Sequence, residues 1–173
     1  MRMREEKKSA IRERIHAAIA DGAFPCASVM AGPPYEVLFE YCAGNRSIYP
    51  EVLPLDRNTL FDMASLTKVL ATAPLAMVFT EEGRISLADK AADYLPQFST
   101  GPGKEITLGQ LLTHTAGFTP HLPLYELCGN PEDAVHRIAE DGVRYTPGAQ
   151  VKYSDLGFII LGRILEIAGE DTL

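Results

Sequence analysis

From Leu66 to Phe79 the chain carries a single formal charge, Lys68, in a run of otherwise apolar, small or hydroxylated residues. Leu66, Val69, Leu70, Leu75, Ala76, Val78 and Phe79 go around much of the circumference of a helix wheel. A helix over 65–82, stopped by Gly83, is therefore expected to lie buried at the centre of the fold. Pro74 falls inside it and should kink it or free a backbone carbonyl.

The elements expected on either side are less symmetric. Residues 5–20 place Ile11, Ile15, Ala18 and Ile19 on one helical face, and Asp21-Gly22 ends that helix. Two extended segments, 25–31 and 36–43, joined by Gly32-Pro33-Pro34, predict a hairpin. Residues 45–58, punctuated by Pro50 and Pro54, predict a loop, as do 86–103. Thr107 leads a short helix carrying Leu108, Leu111 and Leu112. Asn130-Pro131 caps another that runs through Glu140. Pro147-Gly148 makes a turn, and a last helix spans 154–168 before Gly169. Only two strands are legible, both early, and a lone hairpin is marginal without further strands. A sheet that begins and is not completed predicts a truncated chain whose open sheet edge could pair with itself or with a complementing chain.

Composition excludes several classes. A formal net charge of −7 and a pI near 5.1 argue against nucleic acid, which needs a basic face. Cys26, Cys42 and Cys128 have no CxxC spacing and read as buried or incidental thiols in a reducing compartment. No apolar run approaches the ~20 residues that span a bilayer. Charges recur through Arg14, so no signal-peptide core is visible and a cytoplasmic location is expected. No HxxxH or HxH pair exists, so neither a metal nor another cofactor is expected. The absence of GxSxG removes the nucleophile elbow of α/β-hydrolases.

Two short motifs could carry chemistry. In Ser65-Leu66-Thr67-Lys68 a helical spacing of three sets the lysine beside the hydroxyl. A lysine in an apolar setting is disfavoured as a cation and can take the serine proton. The free N–H groups at a helix start would favour a developing oxyanion. Taken alone, SxxK also fits a solvated serine and lysine; the apolar helix around Lys68 favours the chemical reading. The second motif, Tyr153-Ser154-Asp155, stands at the mouth of the last helix. Near Lys68 the phenol of Tyr153 would lose its proton more easily. In isolation, Tyr153 as a packing residue and Ser154 or Asp155 as a helix cap fit equally.

Three segments, LFDMASLTKVLAT at 60–72, ITLGQLLTHTAGF at 106–118 and PGAQVKYSDLGFIILGRILE at 147–166, together resemble the serine β-lactamase family in its broad sense. That family includes class C β-lactamases, penicillin-binding D,D-peptidases and related esterases. The resemblance implies an α+β, β-lactamase/transpeptidase-like fold in one incomplete domain. Residues 1–60 would supply the N-terminal helix and hairpin of its sheet lobe, and 61–173 the helical lobe with the nucleophile helix. It implies catalysis by Ser65, Lys68 and Tyr153 on a small-molecule or peptide ester or amide, through an acyl-enzyme. His114 and Gly117 would shape the cleft, and Asp155 occupies a place usually held by asparagine. That exchange swaps an amide donor for an acceptor-only carboxylate, and its charge would tend to hold Lys68 protonated. The family's third motif, a KTG- or HxG-type triplet that supplies an oxyanion donor, does not occur after residue 155. The contrasting expectation is a non-catalytic module that binds a partner chain or ligand.

Overall fold

The structure, a computed structural model, describes residues 3–173. The chain divides into two compact units, Met1–Asp62 and Met63–Leu173.

In the first unit, α1 (Glu5–Ala20) precedes an antiparallel sheet of β1 (Cys26–Ala31), β2 (Phe39–Ser47) and β3 (Leu53–Pro54), ordered β1-β2-β3. The helix turns inward the face read from its periodicity: Ile15 is buried and Ile11, Ala18 and Ile19 are half-buried. Beside that face, side chains hold α1 onto β2. His16 Nε2 lies 2.6 Å from the Tyr41 hydroxyl, and the Arg12 guanidinium sits over the Phe39 and Tyr41 rings. The register runs from Cys26 opposite Gly44 to Ala31 opposite Phe39. Gly44 adopts φ +92°, and a side chain there would begin 2.2 Å from the Pro25 carbonyl oxygen; only glycine fits. The second strand runs four residues beyond the expected 43. Asn45, Arg46 and Ser47 carry no strand pattern, and pairing keeps them extended. The Asn45 amide donates to the Pro25 carbonyl and the Leu55 amide to the Gly44 carbonyl. The short β3 then lies within the region expected to be loop.

The second unit is mainly helical. A π-helical turn, Lys68–Thr72, runs into α2 (Ala73–Glu81). Then come α3 (Ala91–Tyr94), two 3₁₀ turns (Pro96–Phe98 and Gly101–Glu105) and α4 (Leu108–Leu112). After them follow α5 (Leu124–Leu127), α6 (Pro131–Asp141) and α7 (Asp155–Gly169). Side chains set several starts. Thr107 and Gln110 form a reciprocal capping box on α4, and the Asn130 carboxamide oxygen accepts from the Asp133 amide ahead of α6.

The expected buried central helix over 65–82 is corrected here. The central helix is α7, whose Leu156, Ile160, Leu161 and Ile164 are fully buried against Leu108, Leu111, Val135 and Ile138. The helix at 66–81 turns in only Thr72, Ala76 and Phe79, while Leu66, Val69 and Leu70 remain 52%, 60% and 62% exposed. An all-round apolar sequence carries no direction; the neighbours decide which side is covered. The proline is accommodated as a change of hydrogen-bond register. The Ala73 amide bonds the Lys68 carbonyl five residues back, so Pro74 enters at the first turn of α2, where a missing N–H costs little.

Truncating the core of α7 should therefore matter far more than truncating the run that looks more apolar. Ile160→Ala should cost about 2–5 kcal/mol, and Leu70→Ala no more than about 0.5 kcal/mol. Urea unfolding of the two variants measures both; equal losses would contradict the assignment of α7 as the central helix.

Candidate functional site

Ser65 stands at the mouth of the helical run, directly after Ala64, which is held in the left-handed region at φ 43°. A non-glycine residue there costs on the order of 1–3 kcal/mol and persists only when its surroundings impose it. Here the Leu66 amide bonds the Met63 carbonyl and the Thr67 amide the Ala64 carbonyl. The tight turn directs Ser65 outward, and the next helical turn brings Lys68 back beneath it.

The side chains named from the sequence come together at this point. Lys68 Nζ donates to Ser65 Oγ at 3.2 Å and to Asp155 Oδ1 at 2.7 Å. Tyr153 borders both groups: the Lys68 ammonium lies 5.2 Å from the centre of the phenol ring, and Ser65 and Lys68 both act on the phenol. Burial works to lower the Lys68 pKa, but the hydrogen bonds and charges of Asp155 and Tyr153 outweigh it and hold the value above that of an ordinary lysine. The Tyr153 phenol is drawn below its usual value by its hydrogen bonds to Ser65 and then Lys68. The hydrogen bond from Lys68 likewise holds the Asp155 carboxyl below the usual carboxylate range.

Segment 114–120 acts as the bracket for Tyr153 and Asp155. The Lys152 amide donates to the His114 carbonyl and the Asp155 amide to the Pro120 carbonyl. The Ser154 amide donates to His114 Nδ1, so a proton on the neutral ring belongs on Nε2. The Ser154 hydroxyl donates to the Thr119 carbonyl while accepting from the Leu156 amide as the cap of α7. The His114 ring packs 4.5 Å from Tyr153 and 5.0 Å from Phe158, and burial together with the Lys68 charge lowers its pKa. At Gly117, φ +91°, the carbonyl accepts from the Arg144 and Tyr145 amides. A side chain there would begin 2.2 Å from the Tyr145 carbonyl oxygen.

One participant was not singled out in the sequence. His121 Nδ1 lies 3.5 Å from Asp155 Oδ2. Its flanking prolines suggest only a loop; the path of 119–122 past the start of α7 makes it a neighbour. A cavity of about 500 Å³ opens beside Ser65 and Lys68, with Leu122, Leu124, Tyr125, Phe158 and Ile159 also in its lining. Among the described residues no cluster of His, Cys, Asp or Glu could hold a metal ion. No helix among them is long and apolar enough to cross a membrane.

The ion pair links stability to pH. Asp155, depressed in the fold, contributes stability above the unfolded aspartate pKa, and that share disappears as pH falls through the folded value. Lys68, raised in the fold, contributes below the unfolded lysine pKa, and its share disappears as pH rises through the folded value. The stability difference between wild type and Asp155→Asn should thus be greatest near neutrality and vanish below the carboxylate range. Urea unfolding over a pH series measures it; a difference independent of pH would contradict the pair's contribution.

Comparison with known proteins adds three findings. The family model described as Beta-lactamase matches residues 11–172. A Salmonella agona protein named "Putative D-alanyl-D-alanine carboxypeptidase" is 32% identical over 122 residues, which are 63% of this chain and 28% of the relative. Among solved structures, D-alanine carboxypeptidase AmpC from Burkholderia cenocepacia is 27% identical, with a TM-score of 0.75 over 97% of this chain and 45% of its own. The octameric penicillin-binding protein homologue from Pyrococcus abyssi, at 23% identity, shares the fold with a TM-score of 0.79 over 98% of this chain and 40% of its own. The chain therefore spans less than half the length of each of these proteins.

Proposed function

We propose that this chain, which belongs to the Beta-lactamase family, supplies the nucleophile and proton-transfer groups of a serine hydrolase that cleaves an ester or amide through an acyl-enzyme. The observation that carries this reading is the meeting of Ser65, Lys68, Tyr153 and Asp155 within hydrogen-bond reach.

The roles follow from the charges. Asp155 holds Lys68 as a cation, which makes the ammonium a poor proton acceptor and a good stabiliser of a neighbouring phenolate. Tyr153 is then the base. Its oxygen takes the Ser65 proton as Oγ bonds to the substrate carbonyl carbon, and the carbonyl electrons move onto oxygen. The tetrahedral oxyanion collapses, the bond to the leaving group breaks, and Tyr153 returns the proton to that group. Water, deprotonated by the same phenolate, releases the acyl group. The Ser65 amide at the helix start is the oxyanion donor this chain offers. D-alanyl peptides are one substrate class for this reading, supported by the names of the Salmonella and Burkholderia proteins.

The second reading, a module that binds a partner chain without catalysis, is favoured by one observation. Leu66, Val69, Leu70 and Met77 lie along one helical face and are all more than half exposed, an apolar area usually covered by something.

A fluorophosphonate probe separates the two. The wild-type chain should be labelled and Ser65→Ala should not. Tyr153→Phe should react about a hundredfold more slowly. A well-folded wild type that takes no label would sink the hydrolase reading for this chain.

A further inference from the structure

The cavity beside Ser65 combines a polar cluster whose two formal charges are paired with a largely apolar lining. An ammonium has three N–H donors. Two of those of Lys68 go to Asp155 and Ser65, and the ammonium also lies 5.2 Å from the centre of the Tyr153 ring. Asp155 has two carboxylate oxygens, and Lys68 takes one while His121 faces the other. Among the described residues that line the cavity, Lys68 and Asp155 are the only residues with formal charges, and they cancel. His121, the remaining ionisable imidazole, has its Nδ1 turned to Asp155. Thus the lysine charge is already met by a carboxylate 2.7 Å away, and the Asp155 carboxylate, partly exposed, stands where an anion would arrive.

The rest of the lining is largely apolar. Leu122, Leu124, Phe158 and Ile159 present hydrocarbon and ring surface, and Tyr125 stands at the rim. The volume, about 500 Å³, is in the range of small-ligand sites, where apolar walls provide affinity and a few polar groups set orientation. A ligand gains from this cavity by burying uncharged apolar surface. A carboxylate would lose hydration without a partner and would face a like charge.

We propose that this cavity selects a neutral ester or amide with an apolar group next to the carbonyl that Ser65 attacks, and that Asp155 discriminates against substrates bearing a carboxylate there. The proposal rests on the hydrolase reading for the placement of the carbonyl, and deepens it by naming the substrate class. It runs against a carboxylate-terminated peptide as the preferred occupant of this space. Asp155 is then a specificity determinant: an asparagine at 155 could still accept from Lys68 through its carboxamide oxygen but would leave an unbalanced positive charge.

The test uses two ligands of equal chain length, N-butanoyl-4-nitroanilide and N-succinyl-4-nitroanilide, which differ in a terminal methyl against a carboxylate. Their binding to the wild-type chain is measured by NMR titration over times too short for 4-nitroaniline release, so that Ser65 still accepts from Lys68. The neutral ligand should bind about tenfold more tightly. Adding Asp155→Asn should remove that preference or invert it, and Leu124→Asn should weaken the neutral ligand alone. Equal or tighter binding of the succinyl ligand, or no binding of either, overturns the proposal. So does a preference that Asp155→Asn leaves unchanged in a variant whose spectrum is that of a folded protein. In parallel, fluorophosphonate labelling of wild type reports on the hydrolase reading separately. Selective binding without labelling would leave the cavity's preference standing and remove its catalytic use; labelling without selectivity would do the reverse.

Discussion

The ion pair between Lys68 and Asp155 joins the first turn after the candidate nucleophile to the first residue of the central helix, 87 positions later in the chain. Almost everything else at the site is arranged by one or other of its ends. Asp155 begins α7, so the burial of Leu156, Ile160, Leu161 and Ile164 fixes where its carboxylate can stand. Lys68 sits in the π-helical turn, so the register change that admits Pro74 also sets how the ammonium approaches Ser65. Core packing and site geometry are thus one constraint in this unit.

The charges of the pair also decide between two ways of moving a proton. An apolar run around a lysine suggests a neutral amine, since desolvation alone would lower its pKa. In the fold Lys68 keeps its charge because a carboxylate is 2.7 Å away. The sequence held both signals, the apolar run and an aspartate where asparagine is usual, but their balance is a matter of distance. With the pair formed, Tyr153 is the neighbour whose pKa is drawn down, and His114 packs against that phenol and accepts the Ser154 amide.

Much of the local structure was legible because it depends on neighbours in sequence. The face of α1, the capping box at Thr107, the caps at Asn130 and Ser154 and the stop near Gly169 all follow from spacings of three or four residues. The features that were not legible depend on partners far away. Asn45–Ser47 are extended because another segment lies beside them, and the run at 66–79 is half exposed because few side chains lie over it. His121 carried no local signal, and it lies against Asp155 because of how the chain passes α7.

By itself, then, the sequence determined the class of chemistry and the order of its parts: a serine and a lysine one helical turn apart, a tyrosine and an aspartate two residues apart at a helix start, and three extended segments resembling one family. These are short-range relations, and helix geometry converts them directly into shared faces. Only the tertiary structure decided that α7 is the central helix, that the lysine is paired with a carboxylate, that His121 completes the surroundings of Asp155, and that a largely apolar cavity opens beside Ser65. Burial, ion pairing and cavity shape are sums over residues distant in the chain, and no local pattern fixes which of those residues will meet.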